Sequence, residues 1–343
     1  MPNLTLVKSL SFSFANSLGI APNSSDSFFI AYMESNNELK VEKVSVDKDG
    51  NYSTTSLKAP GECTMSPALV TFNNKLYVFY RKKDKDLSND KDFKYRRYTL
   101  PTDTAWSSEH SISDVKASSD HNPVITVFNN EIWLIDKNNT HHFIAEAWMD
   151  SKEAWSTNQN TTYWISNDKK KKDWGYQTAS EDKKNGGKKQ EHDQILSNTG
   201  GNPITPRNPS MVVFNGKIYA AYKGGRVSGD STAEQLYIMT ADSKHVWTNP
   251  VNFLSSEKSI FAPALAVVGN TLFCVFSRDG HSNHLYYATS TDGSTWSAVT
   301  KISNEILNNG KATDPFAMGV NNGQLAISYV NGGSARLKIF KVS

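Results

Sequence analysis

The sequence predicts an all-β fold, a six-bladed β-propeller whose last blade is completed by the N-terminal strand. Three observations support this prediction. A hairpin-like template recurs along the chain, a polar turn that ends in tryptophan follows several copies of it, and the last copy lacks a fourth strand that the N-terminus can supply. Closed β architectures often reach this length as one unit, so residues 1–343 are interpreted as a single domain.

The repeated template is a proline, an apolar run, a turn of Asn and Gly, and a second run rich in aromatic residues. Four copies place an aromatic residue ten positions after the proline: Pro67 and Tyr77, Pro123 and Trp133, Pro209 and Tyr219, Pro263 and Phe273. Residues 315–329 are a fifth copy with one extra turn residue, and residues 18–32 are a degenerate sixth. Asn and Gly accept the positive φ of tight turns, and a proline at the first residue of a strand costs no ladder hydrogen bond. Each copy is therefore expected to be a hairpin, strands A and B of a blade.

A third strand, C, follows each hairpin, and the turn after it often pairs an aspartate with a tryptophan. The pairs are Asp103 and Trp106, Asp150 and Trp155, Asp242 and Trp247, and Asp292 and Trp296. These turns resemble the Asp-box turns of sialidase-like propellers, in which the aspartate caps the turn between strands C and D and the tryptophan packs beneath it. The match is incomplete, because the full pattern has one more residue between Asp and Gly. We expect the tryptophans to pack between blades rather than to stack on sugars.

The last repeat has room for only three strands and ends with residues 335–343. Residues 4–12 form an unassigned strand at the other end of the chain. Pairing the two would close the ring and remove two exposed strand edges. A seventh blade would need a further complete repeat, which the sequence does not contain.

One interval between repeats is irregular. Trp155 and Pro209 are 54 residues apart, whereas the other turn tryptophans precede the next proline by 16 to 19 residues. Residues 167–200, with eight lysines and six acids, are interpreted as a charged loop insertion between blades III and IV. The start of strand A lies beside the end of strand B in a hairpin, so this insertion is expected on the face where propellers usually bind ligands. It is either a solvated loop, a lid or a partner-binding segment.

Composition excludes several classes of function. The hydrophobic content of 38% supports a packed core, and the net charge of +3 is too small for a protein that coats nucleic acid. Two cysteines make neither a disulfide scaffold nor a Cys-type zinc site. Adjacent strand residues point to opposite faces, so His141 and His142 are not expected to share a metal, and no metal or cofactor is predicted. No apolar run reaches membrane-spanning length, so a soluble protein is expected. It is expected to be extracellular or released, although no secretory signal is visible.

The predicted ligand face collects the residues before each strand A and after each strand B. The ligand-binding candidates there are Arg81, His121, Asn122, Lys137, Asn208, Lys223, Arg226, Arg278 and Asp314. The candidate catalytic acids are Asp120, Asp279 and Asp314. Together these residues predict a polar, mainly basic rim around a central channel.

Two enzyme families of similar build can be compared with this set. Sialidases combine an arginine cluster, a Tyr–Glu nucleophile pair, an Asp acid and an Arg-Ile-Pro motif. Arg81, Arg226 and Arg278 resemble the cluster, but the tripeptide is missing and no Tyr–Glu pair is evident in the sequence. The strands also resemble those of arabinanases, which carry an Asp directly after the Ala-Pro that opens a blade; Ala68 and Ala264 stand at that place.

Repeated blades without one distinctive catalytic set favour binding over catalysis, because shallow sites on several blades add by avidity. The resemblance to lectin and glycosidase propellers implies that glycans or glycoproteins are the ligands. The Lys- and Asn-rich composition is similar to that of low-GC bacteria, where such propellers include lectins and host-directed or insecticidal toxins. A glycosidase, and a scaffold that binds protein partners through residues 167–200, are the alternatives.

Overall fold

The computed structural model describes a chain of β-strands, and its described residues contain no helix long and apolar enough to cross a membrane. The residues that it does not describe are 1, 13–17, 25, 65, 83–91, 117–122, 139–142, 158–160, 165–174, 179–209, 224–234, 244–246, 249–250, 260, 279–283, 303–312, 321–322 and 332–333.

The strands form six separate antiparallel sheets, one for each predicted blade. Blade I contains β2 (Gly19–Ser24), β3 (Ser27–Met33), β4 (Glu38–Val46) and β5 (Tyr52–Glu62). Blade II contains β6 (Ala68–Phe72), β7 (Lys75–Arg81), β8 (Asp92–Thr99) and β9 (His110–Lys116). Blade III contains β10 (Val124–Phe128), β11 (Glu131–Asn138), β12 (Phe143–Met149), β13 (Trp155–Thr157), β14 (Thr161–Trp164) and β15 (Gly175–Thr178). Blade IV contains β16 (Ser210–Phe214), β17 (Lys217–Lys223), β18 (Leu236–Ala241) and β19 (Val251–Asn252). Blade V contains β20 (Ala264–Val268), β21 (Thr271–Ser277), β22 (Leu285–Ser290) and β23 (Thr300–Lys301). Blade VI contains β24 (Thr313–Val320), β25 (Gln324–Asn331), β26 (Ser334–Val342) and β1 (Leu4–Phe12).

The first strand of each blade lies innermost and contacts the first strand of the next blade. These contacts run from β2 through β6, β10, β16, β20 and β24 and return to β2, so the six blades form a closed ring. The predicted six-bladed propeller is confirmed.

The A–B hairpins turn on residues with positive φ, as their sequences predict. Asn73 and Asn74 have φ of 47° and 57°, and Asn129 and Asn130 have φ of 51° and 60°. Positive φ at both central positions matches the twist of antiparallel strands. Pro67, Pro123 and Pro263 directly precede their strands, but in the fifth copy the proline lies inside β24, where the register shifts between Thr313 and Phe316. Such an irregularity removes the need for the amide hydrogen that proline lacks.

Strand β1 pairs with β26 over the whole of its length, from Leu4 opposite Val342 to Phe12 opposite Ala335. The N-terminal segment is thus strand D of blade VI, and the prediction of ring closure is confirmed. Asn3 and Ser343 extend this pairing by donating backbone hydrogen bonds to each other, at 2.8 and 3.2 Å.

Each blade buries both faces against its neighbours, and one hydrophobic cluster fills each of the six junctions. The predicted turn tryptophans belong to these clusters. Trp155 packs edge-on against Phe79 of the preceding blade at 6.0 Å between ring centres, and Trp296 lies 4.8 Å from Phe253. Trp106 donates a hydrogen bond of 2.6 Å to the carbonyl of Lys58 in blade I. The prediction that these residues pack between blades is confirmed. Cys63 and Cys274 are buried.

The turns that carry these tryptophans are held by aspartate side chains. Asp292 Oδ1 accepts hydrogen bonds of 2.7 Å from the backbone of both Ser294 and Thr295, and Asp150 Oδ1 accepts two similar bonds. The sequence analysis missed a fifth such turn, in which Asp47 accepts from Asp49 and Asn51 in blade I. There a tyrosine replaces the tryptophan: Tyr52 donates to Gln324 of blade VI at 3.1 Å. A search for Asp followed by any aromatic residue would have found it.

Blade III departs from the four-strand pattern. Both β13 and β14 pair with β12, and β15 pairs with β14 at the outer edge of the sheet. Strand β15 falls within the predicted insertion 167–200. This part of the insertion therefore adds a strand to the outer edge of blade III. The rest of that segment, residues 167–174 and 179–200, lies outside the described residues.

Around the axis the inner strands approach so closely that one position requires glycine. A Cβ atom on Gly319 of β24 would lie 1.8 Å from the carbonyl oxygen of Val267 in β20. The obstacle is backbone rather than a flexible side chain, so an added methyl group must push two blades apart.

We therefore expect Gly319→Ala to lower the free energy of unfolding by about 1–3 kcal/mol, the usual cost of overpacking a core. Denaturant titration followed by tryptophan fluorescence measures it. Gly323→Asn is the control, because that turn position has φ of 72° and open space, which asparagine tolerates. Equal stability of the two variants would contradict the close approach.

The turn of blade V gives a pH-dependent prediction. The backbone N–H groups of Thr295 and Ser294 hold the pKa of Asp292 well below its usual range. A carboxyl whose pKa falls on folding stabilises the protein above its unfolded pKa, near 4, and loses this contribution as the pH falls. Asp292→Asn should therefore melt about 1–2 °C below the wild type at pH 7, with a smaller difference at pH 3. The exposed Glu62→Gln is the control, and a pH-independent difference would exclude the charge as the cause.

Candidate functional site

The ring encloses a central cavity of about 360 Å³, lined by the inner strands of all six blades. None of the described lining residues is charged; the hydroxyl side chains among them are Ser66, Thr71, Thr126 and Ser210. Two of these hydroxyls already bind backbone: Thr71 donates to the Pro22 carbonyl at 2.9 Å, and Ser210 accepts from the Leu265 amide at 2.8 Å. Ala68, at the place of the arabinanase carboxylate, also lines the cavity. The described wall therefore holds no acid–base pair.

Polar residues lie at one end of this cavity, where the B strands end. Arg81 ends β7, Lys223 ends β17, and Arg278 follows β21. Lys137 lies in β11 and Asp314 in β24, with side chains outside the described part of the structure. The antiparallel pairing of β24 with β25 puts Asp314 at this same end. The remaining predicted residues, Asp120, His121, Asn122, Asn208, Arg226 and Asp279, lie outside the described residues.

Arg278 belongs to a cluster at the junction of blades IV and V. Its Nη2 donates a hydrogen bond to Glu257 Oε1 at 3.0 Å, and its Nε lies 2.6 Å from Glu257 Oε2, so the two side chains form a close ion pair with one hydrogen bond. The guanidinium also lies 5.3 Å from the ring centre of Tyr286. Glu257 comes from the connection that follows β19, and a bridge between Ser259 and Arg278 fixes that connection against blade V.

The burial of this cluster is uneven. The side chain of Glu257 is 7% exposed and that of Arg278 is 32% exposed. The carboxylate thus forms the floor, and the guanidinium, which uses one of its five N–H donors on Glu257, reaches the surface. Sequence analysis identified Arg278 but missed Glu257, because they are separated by 21 residues and a blade boundary.

The junction of blades I and II carries a related cluster. Lys82 follows β7 as Arg278 follows β21, and it is likewise bridged to the preceding blade, through Cys63. Its Nζ lies 3.1 Å from Glu109. The buried Tyr80 donates to Glu109 at 2.9 Å and accepts from Arg96 Nε at 3.1 Å.

The structure also contains Tyr–Glu pairs that the sequence did not reveal. Besides Tyr80 and Glu109, Tyr32 donates to Glu42 at 2.8 Å. Burial raises the pKa of both tyrosines far above the ordinary value, and the neighbouring carboxylates act in the same direction. In both pairs the tyrosine hydroxyl is a hydrogen-bond donor to the carboxylate.

No group of three metal-ligating His, Cys, Asp or Glu side chains occurs within the part of the chain that the structure covers. In that part the candidate site consists of charge pairs and aromatic rings at blade junctions.

No family model matches the chain, and no curated protein matches its sequence. Solved structures do resemble it along nearly its entire length. A fucose-specific lectin from Aleuria aurantia has a TM-score of 0.60 at 11% identity, covering 97% of this chain and 96% of that one. The protein AofleA from Arthrobotrys oligospora has a TM-score of 0.58 at 9% identity, covering 97% and 86%. A protein of unknown function from Dyadobacter fermentans has a TM-score of 0.57 at 10% identity and covers both chains fully.

Another structure of the Aleuria aurantia lectin, with a TM-score of 0.58, is described as a six-bladed β-propeller with a novel mode of fucose recognition. At such low identities the likeness establishes the architecture alone. The chain has the fold of a six-bladed β-propeller.

Proposed function

We propose that this protein is a lectin-like propeller that binds glycans at shallow sites on its blade junctions. The observation that carries the proposal is the cluster of Arg278, Glu257 and Tyr286 at the junction of blades IV and V. Support also comes from the fold, which is shared over 97% of the chain with a lectin that is specific for fucose.

The chemistry of the cluster suits a sugar. A guanidinium donates to vicinal hydroxyl groups in a planar, fixed geometry, and its carboxylate partner keeps it in place. The Tyr286 ring, which is buried, packs beneath the guanidinium and helps to fix its position. Arg278 is partly exposed while Glu257 is buried, so the donor is held in position before a ligand arrives.

Several such sites on one ring would add to the strength of binding. Lys82, Glu109 and Tyr80 form the related cluster between blades I and II. Multivalent glycans on a surface could engage both, and avidity then raises the overall affinity well above that of one site. The rim residues of the same face belong to the proposal: Arg81, His121, Asn122, Lys137, Asn208, Lys223, Arg226 and Asp314.

The wider role in the proposal is that of a released bacterial protein that acts on glycans or glycoproteins outside the producing cell, with a host-directed or insecticidal toxin as its most specific form. The aspartate turns of blades I, III and V support the likeness to Asp-box propellers, although their spacing departs from that pattern. Catalysis is not part of the proposal; a glycosidase that uses Asp120, Asp279 or Asp314 is the alternative that the glycoside screen tests.

We expect the full chain to bind glycans on an array without turnover in a parallel chromogenic glycoside screen. Arg278→Ala should weaken binding to the best glycan at least about tenfold, because it removes charge-assisted hydrogen bonds. Arg278→Lys should recover only part of the affinity, since an ammonium lacks the planar, fixed set of donors of a guanidinium.

Lys152→Ala is the matched control, because it removes an exposed cation from a C–D turn on the opposite face. Thermal melting of all variants shows whether loss of binding reflects unfolding, which is a risk because Arg278→Ala leaves a buried carboxylate unpaired. A blank array with a folded wild-type protein would contradict the proposal. Sugar release in the glycoside screen would favour a glycosidase.

A further inference from the structure

The junction of blades V and VI holds two cations on the same face of β26. Arg336 and Lys338 are two residues apart on this strand, so their side chains project to the same side, about 7 Å apart along the strand. They face blade V, because the intervening Leu337 packs in the cluster between blades VI and I. The side chain of Tyr329, directly opposite Arg336 on β25, belongs to the cluster with blade V.

Lys338 is only 4% exposed, and its Nζ donates to Ser9 Oγ at 2.6 Å. Burial lowers the pKa of its ammonium, and the neighbouring Arg336 lowers it further. The Nε atom of Arg336 is buried and makes no hydrogen bond. Burying an ammonium without an opposite charge is unfavourable, and an adjacent guanidinium adds repulsion.

Within the described ranges, neither cation forms an ion pair with a carboxylate. The other junctions show how unusual this is. In blade II the corresponding side chains on strand C are Lys94 and Arg96. Arg96 donates to Tyr80, which donates to Glu109 just before strand D, and Lys94 donates to Ser111. In blade I the corresponding residues are Lys40 and Glu42, and Lys40 pairs with Glu38 at 2.9 Å.

The strand pairing identifies the residue that replaces the missing carboxylate. Ser111 lies opposite Lys94 in blade II, and Ser11 lies opposite Arg336 in blade VI. Two residues before Ser111 is Glu109; two residues before Ser11 is Ser9. Blade VI therefore carries a small hydroxyl where blade II carries a negative charge.

We propose that Arg336 and Lys338 bind an anionic group of a saccharide, a carboxylate or a sulfate ester, at the junction of blades V and VI. Ser9 and Ser11 are exposed, so the site opens to solvent at the outer edge of the junction, with Lys338 at its floor. A bound anion supplies the missing opposite charge and accepts hydrogen bonds from both cations. The serine hydroxyls then lie beside the sugar ring that carries the anion.

This inference rests on the proposed glycan binding and adds a charge preference at a junction other than that of Arg278. The experiment is calorimetric titration of the full chain with 3′-sialyllactose, a glucuronic acid disaccharide, sulfated lactose and unmodified lactose. At least one acidic saccharide should bind about tenfold or more tightly than lactose, and its affinity should fall with added salt. Comparing the affinities of the carboxylated and the sulfated saccharides identifies which of the two anionic groups the site recognises.

Ser9→Glu is the decisive variant, because it restores the carboxylate that blade II has. It should weaken acidic saccharides at least about tenfold and raise the melting temperature, whereas Ser9→Gln, of equal size and no charge, should stay within about twofold of wild type. Arg336→Gln and Lys338→Gln should each lose the preference for acidic saccharides.

Equal affinity for lactose and its acidic derivatives, or equal effects of Ser9→Glu and Ser9→Gln, would overturn the inference. Binding of inorganic sulfate without binding of any acidic saccharide would also overturn it, because the ligand would then be a free anion. A protein that binds neutral glycans through Arg278 but shows no acid preference refutes this site alone. A blank glycan array refutes the proposed function as well.

Discussion

Every blade of this propeller must cover both of its faces with its two neighbours, and the rest of the structure depends on that constraint. Six apolar clusters fill the six junctions, and each contains residues of two blades. A blade with only one neighbour would leave a whole sheet face in water, so the ring is stable only when it is closed. This explains why β1, near the start of the sequence, pairs with β26 near its end, and why the turn aromatics pack against the preceding blade.

Charged groups enter these junctions only near the surface, and there they are balanced in different ways. Arg278 holds a carboxylate from the preceding blade, whereas Lys82 holds one that directly precedes its own outer strand. The two clusters occupy equivalent places after a B strand, but their carboxylates come from different elements, so the repeated backbone carries different side-chain chemistry from blade to blade. In the proposed function, specificity depends on which junctions balance their charges internally and which do not.

The repeat was readable from the sequence because hairpin turns and strand patterns are local. Asn73 and Asn74 needed no tertiary information, and β1 was predictable because the last repeat lacked a strand. The junction clusters were not predictable, because their members meet only after blades pack. Glu257 and Ser9 carry no local signal, and Tyr52 was missed since it replaces a tryptophan. Arg278 was identified by its place after a B strand, but its carboxylate partner was not.

The pairing of Asn3 with Ser343 places these two residues side by side in blade VI, although 340 positions of sequence separate them. The ring is therefore closed there by hydrogen bonds between neighbouring strands and not by a peptide bond. A short peptide joining residues 3 and 343 would close the ring covalently without moving a blade, and an A–B turn such as Asn73–Asn74 could then be opened instead.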